Sequence, residues 1–530
     1  MTTSNSFSMR RRAFLAGSAA TVIGVPSQSV AQYAPARSSS TTGVGVSLAP
    51  GDLDTAVSRL RSRFSGEFSP EYVENVILPH FLVSVYQGER PTLPMIGLDL
   101  TKENALPKDL WGMISETWGP NPQAGVTVFL QGLEKRGPEN QRKRIYMSAV
   151  TPDLYRPMYS DKVVAFFDKL LENSNAGRPL MRPYLENYFD MYWDLHLGVK
   201  GDAIPQRVRQ IGEDFNTVLA YRDPTLKIVY ENYMSVRSNL DYLKTWINER
   251  LGDLKNGKTP NPEKTFAYYW IRNGGEGENF AHKDVVFECF HNFVALSQWG
   301  NTIYNIMARL EKSSGDPDAK AWFKRTMENN PDRSRPNENF TPLDRYVMEL
   351  FRVITPNGGS ISAVDETRTP AFERHGYIVS PHLSTSMDPV QWKDPTKFDP
   401  NRYNLVPTSH ENDEDHCKEI GFAKCPFERT KFDVKDGRKA AMHNSAFGTV
   451  YGIVGGKPLP VCDHAGFAPF GFGYRRCPGE QLTIQVFEDF LKKVWKERIQ
   501  FEKLNVANPE RLPVGPTTVI EDNLGFTRAA

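Results

Sequence analysis

Apolar residues recur at three- and four-residue steps through Val163–Leu171, Leu180–Leu197 and Ile228–Leu251. That is the period at which side chains share one face of an α-helix. The same spacing predicts a helix from about Lys283 to Lys312. It predicts another after residue 480, where Leu482, Ile484, Phe487, Phe490, Leu491 and Trp495 form an apolar stripe. Patterns suited to extended chain are confined to His80–Val85, Tyr377–Val379 and the last fifteen residues. The chain therefore reads as mainly α with small β-sheets. Gly274-Gly275-Glu276-Gly277 follows no strand pattern, so it is expected to join two helices rather than cradle a dinucleotide.

Composition adds limits. The 530 residues carry 64 Lys and Arg against 63 Asp and Glu, a net charge of +1, so no basic excess argues for nucleic acid or an anionic membrane. Aromatic residues make up 12 % of the chain, enough to line a large apolar cavity. No repeat and no internal linker divides the sequence, which predicts one large globular unit. The start reads differently. Met9-Arg10-Arg11-Arg12-Ala13-Phe14-Leu15 is followed by a small and apolar run from Ala16 to Val25 and by Ser29-Val30-Ala31, a small-x-small cleavage pattern. This is the layout of an export signal, and the run is shorter than the about 20 residues a membrane span needs. Arg11-Arg12-x-Phe14-Leu15 resembles the twin-arginine form. The expectation is a signal peptide at 1–31, a flexible leader at 32–55, export to a bacterial periplasm and no stable membrane span.

The strongest chemical signal is Phe470-Gly-Phe-Gly473-Tyr-Arg475-Arg-Cys477-Pro-Gly479, the pattern F-x-x-G-x-R-x-C-x-G. A cysteine thiolate set in such a bend is an axial ligand for haem iron, and it pushes electron density toward O–O cleavage. Gly473 permits a tight bend beside the sulfur. Arg475 suits a bidentate contact to a haem propionate. Gly479 lets the backbone pass close beneath a porphyrin. The helix that follows offers its positive end to the thiolate. Four further cysteines, Cys289, Cys417, Cys425 and Cys462, are free to form disulfides in an oxidising compartment, with no pairing fixed by spacing.

On these residues the chain resembles the cytochrome P450 superfamily over about residues 60–530. Two upstream stretches carry the likeness further: Glu349-Leu-Phe-Arg352, an E-x-x-R whose charges share a helix face, and Asp394-Pro-Thr-Lys-Phe398-Asp-Pro400-Asn-Arg402-Tyr403, similar to the family's meander. The resemblance implies a P450-like fold, haem b as cofactor, and a buried structural triad of Glu349, Arg352 and Arg402. It also makes Phe470, Gly473, Arg475, Cys477 and Gly479 haem-binding residues, with Arg144 and Arg368 as further candidates for the propionates. His375-Gly-Tyr377-Ile378 and Met387-Asp388-Pro389 are similar to the family's small sheet and the loop after it. The P450-like haem domain is expected to occupy 56–530, with a surface insertion at about 406–468.

One departure bears on function. The helix at 283–312 is expected to cross the open face of the haem. Where oxygen-activating relatives carry A-G-x-[DE]-T-T, this chain has Leu296-Ser297-Gln298-Trp299-Gly300-Asn301-Thr302. Alignment on Thr302 puts Gly300 at the acid and Asn301 at the first threonine. Glycine relays no proton, and asparagine cannot act as an acid. With that register Gly300, Asn301 and Thr302 are the candidate catalytic positions, and the pattern resembles the peroxide-rearranging branches (prostacyclin synthase-like, allene oxide synthase-like). The implied activity is that of a haem-thiolate oxidoreductase using or rearranging a peroxide on a lipid-like or terpenoid substrate, without a reductase. Two other readings stand beside it. One is an O2-dependent monooxygenase served by an electron-transfer protein; the other is a non-catalytic haem-binding protein.

Overall fold

The computed structural model describes residues 50–77, 145–274 apart from 222 and 224, 282–333, 341–356 and 477–529 apart from 517, together with shorter stretches between 360 and 470. The signal peptide, residues 32–49 of the leader, the strand expected at His80–Val85, most of the 406–468 segment, and Arg144, Arg368, Gly473 and Arg475 lie outside the described residues, as do Cys417, Cys425 and Cys462.

Among the described residues helices dominate. They are α1 (Pro50–Phe64), α2 (Ser160–Leu170), α3 (Met181–Leu197), α4 (Gln206–Tyr221), α5 (Lys227–Lys255), α6 (Phe266–Asn273), α7 (His282–Leu310), α8 (Pro317–Glu328), α9 (Pro342–Ile354) and α10 (Glu480–Lys496). The strands form two-stranded antiparallel pairs: β1 (Ser360–Ala363) with β2 (Tyr377–Ser380), β3 (Lys431–Asp433) with β4 (Lys439–Ala441), and β5 (Tyr451–Val454) with β6 (Lys457–Pro460). Near the C-terminus β7 (Ile499–Lys503) pairs with β10 (Leu524–Arg528), and β8 (Arg511–Gly515) with β9 (Thr518–Glu521). The mainly α architecture with small sheets follows the periodicity of the sequence. No described helix is long and apolar enough to cross a membrane.

Among the described elements α7 is central, packing against α3, α4, α5, α6, α8, α9 and the strands β7 and β8. A helix surrounded on all sides must be apolar over most of its girth, and Val285, Phe290, Phe293, Trp299, Ile303, Ile306 and Met307 are buried. The β8–β9 hairpin presses against its middle. A Cβ on Gly300 would lie 2.5 Å from the Val514 carbonyl oxygen and 2.8 Å from the Tyr184 ring, and one on Gly515 would lie 3.3 Å from the Asn301 Cβ. Glycine at both positions permits this close approach of helix and strand. The C-terminal strands also close the start of α3. Asp522 accepts hydrogen bonds from the amides of Met181 and Arg182 at 3.1 and 2.9 Å, satisfying donors that a helix start leaves open.

α9 is sharply bounded. Thr341 and Asp344 form a capping box, with Pro342 at the first position. At the other end Thr355 adopts φ 41°, its hydroxyl returns to the Arg352 carbonyl, and Pro356 ends the helix. α10 is anchored by Asp489, which accepts from the Tyr155 hydroxyl at 2.8 Å and pairs with Arg156. Leu482, Ile484, Phe487, Phe490 and Leu491 are buried. Trp495 departs from the predicted stripe. It is 38 % exposed, at the rim of the helix, with its ring edge-on to Phe323.

Candidate active site

Glu349 is fully buried one turn before the end of α9. Arg352, on the same face, forks onto its carboxylate with Nε–Oε2 and Nη2–Oε1 distances of 2.8 and 2.7 Å. Arg402 adds a bond to Oε1 at 3.2 Å, the Asp399 amide one at 2.9 Å and the Tyr403 hydroxyl one to Oε2 at 3.0 Å. The remaining Arg352 donors reach the carbonyls of Ser386 at 2.9 Å and Pro395 at 2.8 Å, and its guanidinium lies over Trp392. A buried ion pair persists only where the other lone pairs and protons are met. Here they are, and the cluster welds α9 to the 392–403 segment. Burial opposes the Arg352 charge, but Glu349 outweighs it and holds the guanidinium above its ordinary value.

The C-terminal end of α9 points at a cavity. Its walls come from Tyr146 and Val150, from Phe266 in α6, from one face of α7, from Phe351 and Pro356, and from Pro469–Phe470 and Cys477–Thr483. It encloses about 840 Å³ of empty space, counting its mouth. Cys477 is half-buried, immediately before α10. Its amide donates to the Phe470 carbonyl at 2.9 Å. Phe470 packs on Phe351, with centroids 4.8 Å apart. Cys289, by contrast, is fully buried within α7, and burial raises its thiol far above the ordinary range.

The same cavity is lined from α7 by Glu288, Asn292, Leu296, Gln298, Trp299 and Thr302, most of them at steps of three and four on one face. This phase separates the three positions that alignment on Thr302 grouped together. Thr302 lines the cavity, its hydroxyl donating to the Gln298 carbonyl at 3.0 Å. Gly300 instead faces Val514 and Tyr184. Asn301 donates from Nδ2 to the Pro356 carbonyl at 3.2 Å, and its Oδ1 accepts from Asn305 at 2.6 Å, so its amide joins α7 to the end of α9. The asparagine on the cavity face is Asn292, more than two turns earlier. Trp299 borders the cavity and donates to Thr483. Phe293 turns the other way, stacked on Tyr192 at 4.3 Å.

Asn292 and Glu288 are both buried. The Tyr146 hydroxyl donates to Asn292 Oδ1 at 2.8 Å, and Asn292 Nδ2 lies 3.0 Å from His196 Nε2. Burial first, then the neighbouring Glu288 and Cys477, raise the Tyr146 phenol well above its ordinary value, so it stays a hydrogen-bond donor. Glu288 and Asn292, two polar side chains on a stripe shared with Thr302, were the sequence signal for this face. The contacts to Tyr146 and His196 join segments far apart in the chain and had none.

No protein-family model matches this sequence, and no curated protein matches it. The likeness is to solved folds. A zebrafish cytochrome P450 crystallised with progesterone superposes with a TM-score of 0.50 at 14 % identity, covering 79 % of this chain and 87 % of that one. The cytochrome P450 CYP102L1 gives 0.49 at 12 % identity, with 81 % and 88 % covered. A variant of the cytochrome P450 OleT in complex with arachidonic acid gives 0.47 at 13 %, with 80 % and 83 % covered. The chain has the cytochrome P450 fold.

Proposed function

We propose that this chain is a haem-thiolate oxidoreductase that uses or rearranges a peroxide on an apolar, lipid-like or terpenoid substrate. The observation that carries the reading is one cavity lined by both Cys477 and the Asn292–Thr302 face of α7. The residues fit haem b. A soft sulfur donor stands at the start of α10, one helix face lines the same cavity, and Phe351, Phe470 and Leu482 add apolar lining. Cys477 would be the axial ligand, with Arg475, Arg144 and Arg368 as candidates for the propionates. When bound, a haem held by thiolate supplies the electronic push for O–O cleavage.

What the chain itself does is bind, orient and limit proton supply. The apolar walls favour a hydrocarbon substrate and exclude water. Asn292 presents an amide to the cavity, suited to orienting a peroxide oxygen by hydrogen bonding. Oxygen activation from O2 calls for a carboxyl and a hydroxyl acting together. Both types are on the cavity stripe, but Glu288 and Thr302 lie roughly 21 Å apart along a helix rising 1.5 Å per residue. They are out of hydrogen-bond reach of one another, which favours a co-substrate that arrives with its oxygen already reduced. Export through a twin-arginine-type signal is part of the same proposal. A periplasmic enzyme is remote from nicotinamide-fed reductases, and a peroxide needs none.

The test supplies purified, haem-loaded protein with a fatty-acid hydroperoxide, or with hydrogen peroxide and a fatty acid, and in parallel with O2 and a surrogate reductase. Turnover with the peroxides is expected. Turnover only with O2 and the reductase would replace the proposal with a monooxygenase, and no turnover under either supply with a non-catalytic haem protein.

A further inference from the structure

Asn292 sits in a chain of hydrogen bonds whose direction is fixed from one end. His196 Nδ1 lies 2.8 Å from the Tyr192 backbone carbonyl. A carbonyl only accepts, so Nδ1 carries the proton. In the neutral ring Nε2 is then a bare acceptor, and the atom facing it must be the amide nitrogen of Asn292, 3.0 Å away. That leaves Oδ1 toward Tyr146, whose hydroxyl donates to it at 2.8 Å. The order Tyr146 O–H, Asn292 C=O, Asn292 N–H, His196 Nε2, His196 Nδ1–H, Tyr192 C=O is consistent at every link. Reversing the amide would set two acceptors against each other at His196.

The ring itself is locked. It is fully buried, stacked on Tyr192 at 4.1 Å and flanked by Phe266 and Trp270 at 5.0 and 5.9 Å between centroids. Burial holds its pKa down to about 3. The Tyr192 carbonyl and Glu288 act to raise it without overcoming burial, and Lys162 lowers it further. The imidazole therefore stays neutral, with one tautomer, through the working pH range. Asn292 has two amide hydrogens, and His196 takes one. The second remains on a residue that lines the cavity.

We infer that His196 is a positioning residue that, with Tyr146, holds the Asn292 amide in one orientation and so presents its second N–H to an oxygen acceptor bound in the cavity. This rests on the proposed function for the identity of that acceptor, a peroxide oxygen, but not for the orientation of the amide. Neither His196 nor Tyr146 touches the reacting atoms in this account.

The test uses the full haem-loaded chain and two readouts. In the reduced carbon monoxide complex, an N–H donor near the bound ligand lowers the C–O stretching frequency. Asn292→Ala is expected to shift that band upward and to cut peroxide turnover about 100-fold, the usual loss when one oriented donor is removed. His196→Phe keeps the aromatic packing and removes the acceptor, so its band is expected to shift upward or split while the thiolate Soret position is retained. His196→Gln, which restores an acceptor, is expected to return the band toward wild type. An unshifted band in His196→Phe with its helical circular dichroism intact would overturn the inference. The second readout needs no haem. The nitrogen chemical shifts of His196 in 15N-histidine-labelled protein are expected to show a protonated Nδ1 and a bare Nε2, and a protonated Nε2 would overturn it. A shifted carbon monoxide band without peroxide turnover would leave the orienting chain standing and remove the peroxide reading.

Discussion

The indole Nε1 of Trp299 donates to Thr483 Oγ1 across 3.2 Å, tying the middle of α7 to the first turn of α10, just past Cys477. Both residues border the cavity, so this bond sets the spacing between its two walls. Trp299 is only 3 % exposed, and losing its acceptor would strand a buried N–H. Thr483→Val is predicted to cost about 1–3 kcal/mol in urea denaturation, while Thr483→Ser, which keeps the hydroxyl, should lie near wild type. Equal stability of the two variants would show that the bond contributes nothing.

Arg352 and Glu349 predict a larger effect. Arg352→Leu leaves a buried carboxylate facing Arg402, Tyr403 and the Asp399 amide without its principal counter-charge. Breaking one partner of a buried pair costs about 3–5 kcal/mol. The expected outcome is a chain that fails to accumulate folded or unfolds at much lower denaturant. A midpoint within error of wild type would contradict a structural role for the cluster.

Gly300 and Asn301 should behave as packing positions. Gly300→Ala drives a methyl group against the Val514 carbonyl and the Tyr184 ring, and overpacking of this kind costs about 1–3 kcal/mol. Asn301→Ala removes the bonds to Pro356 and Asn305, worth about 1 kcal/mol each. Thermal denaturation of both variants should show a lowered midpoint, with peroxide turnover per folded, haem-loaded molecule retained in Asn301→Ala. Loss of turnover at unchanged stability would return Asn301 to the chemistry.

A pH dependence follows from Glu488 in α10. Burial and a hydrogen bond to Asp344 raise its carboxyl above the ordinary range, against the opposing pull of Lys492 and Arg156. A carboxyl with a raised folded-state value keeps its proton after the unfolded chain has lost it. The folded chain then binds more protons, and stability falls as pH rises above the ordinary carboxylate value. Glu488→Gln keeps a donor toward Asp344 without the titration. It is predicted to flatten the fall in denaturation midpoint between about pH 5 and about pH 8. An unchanged slope would locate that proton linkage elsewhere.

Much of this was legible in the sequence because it is local. The three- and four-residue steps at Val163–Leu171, Leu180–Leu197 and Ile228–Leu251 became α2, α3 and α5, and the helix expected at about Lys283–Lys312 became α7 at His282–Leu310. Val208, Ile211, Phe215 and Leu219 in α4 carry the same signal. The cysteine motif is legible for the same reason, as is the Glu349–Arg352 spacing. Helix phase is not local. Thr302 alone cannot say which neighbours turn with it, because that depends on the hairpin that presses on Gly300 from β8. Reading the polar positions Glu288, Asn292 and Thr302 as one stripe would have placed the cavity face. The partners of Asn292 come from Tyr146 and His196, each roughly a hundred or more residues away in the chain, and no spacing rule reaches that far. Trp495 shows the opposite limit. Its apolar side chain matches the stripe of α10, but it lies where the helix leaves the core.

The proposal rests first on ligation of a haem by the Cys477 thiolate in the cavity lined by α7 and α10. It is tested most directly by the absorption spectrum of the haem-loaded protein, reduced and exposed to carbon monoxide, for wild type and Cys477→Ala. A strongly red-shifted Soret band is expected in the wild type and is expected to be lost in the variant. A wild-type band without the red shift, or the same red-shifted band in both proteins, would contradict it.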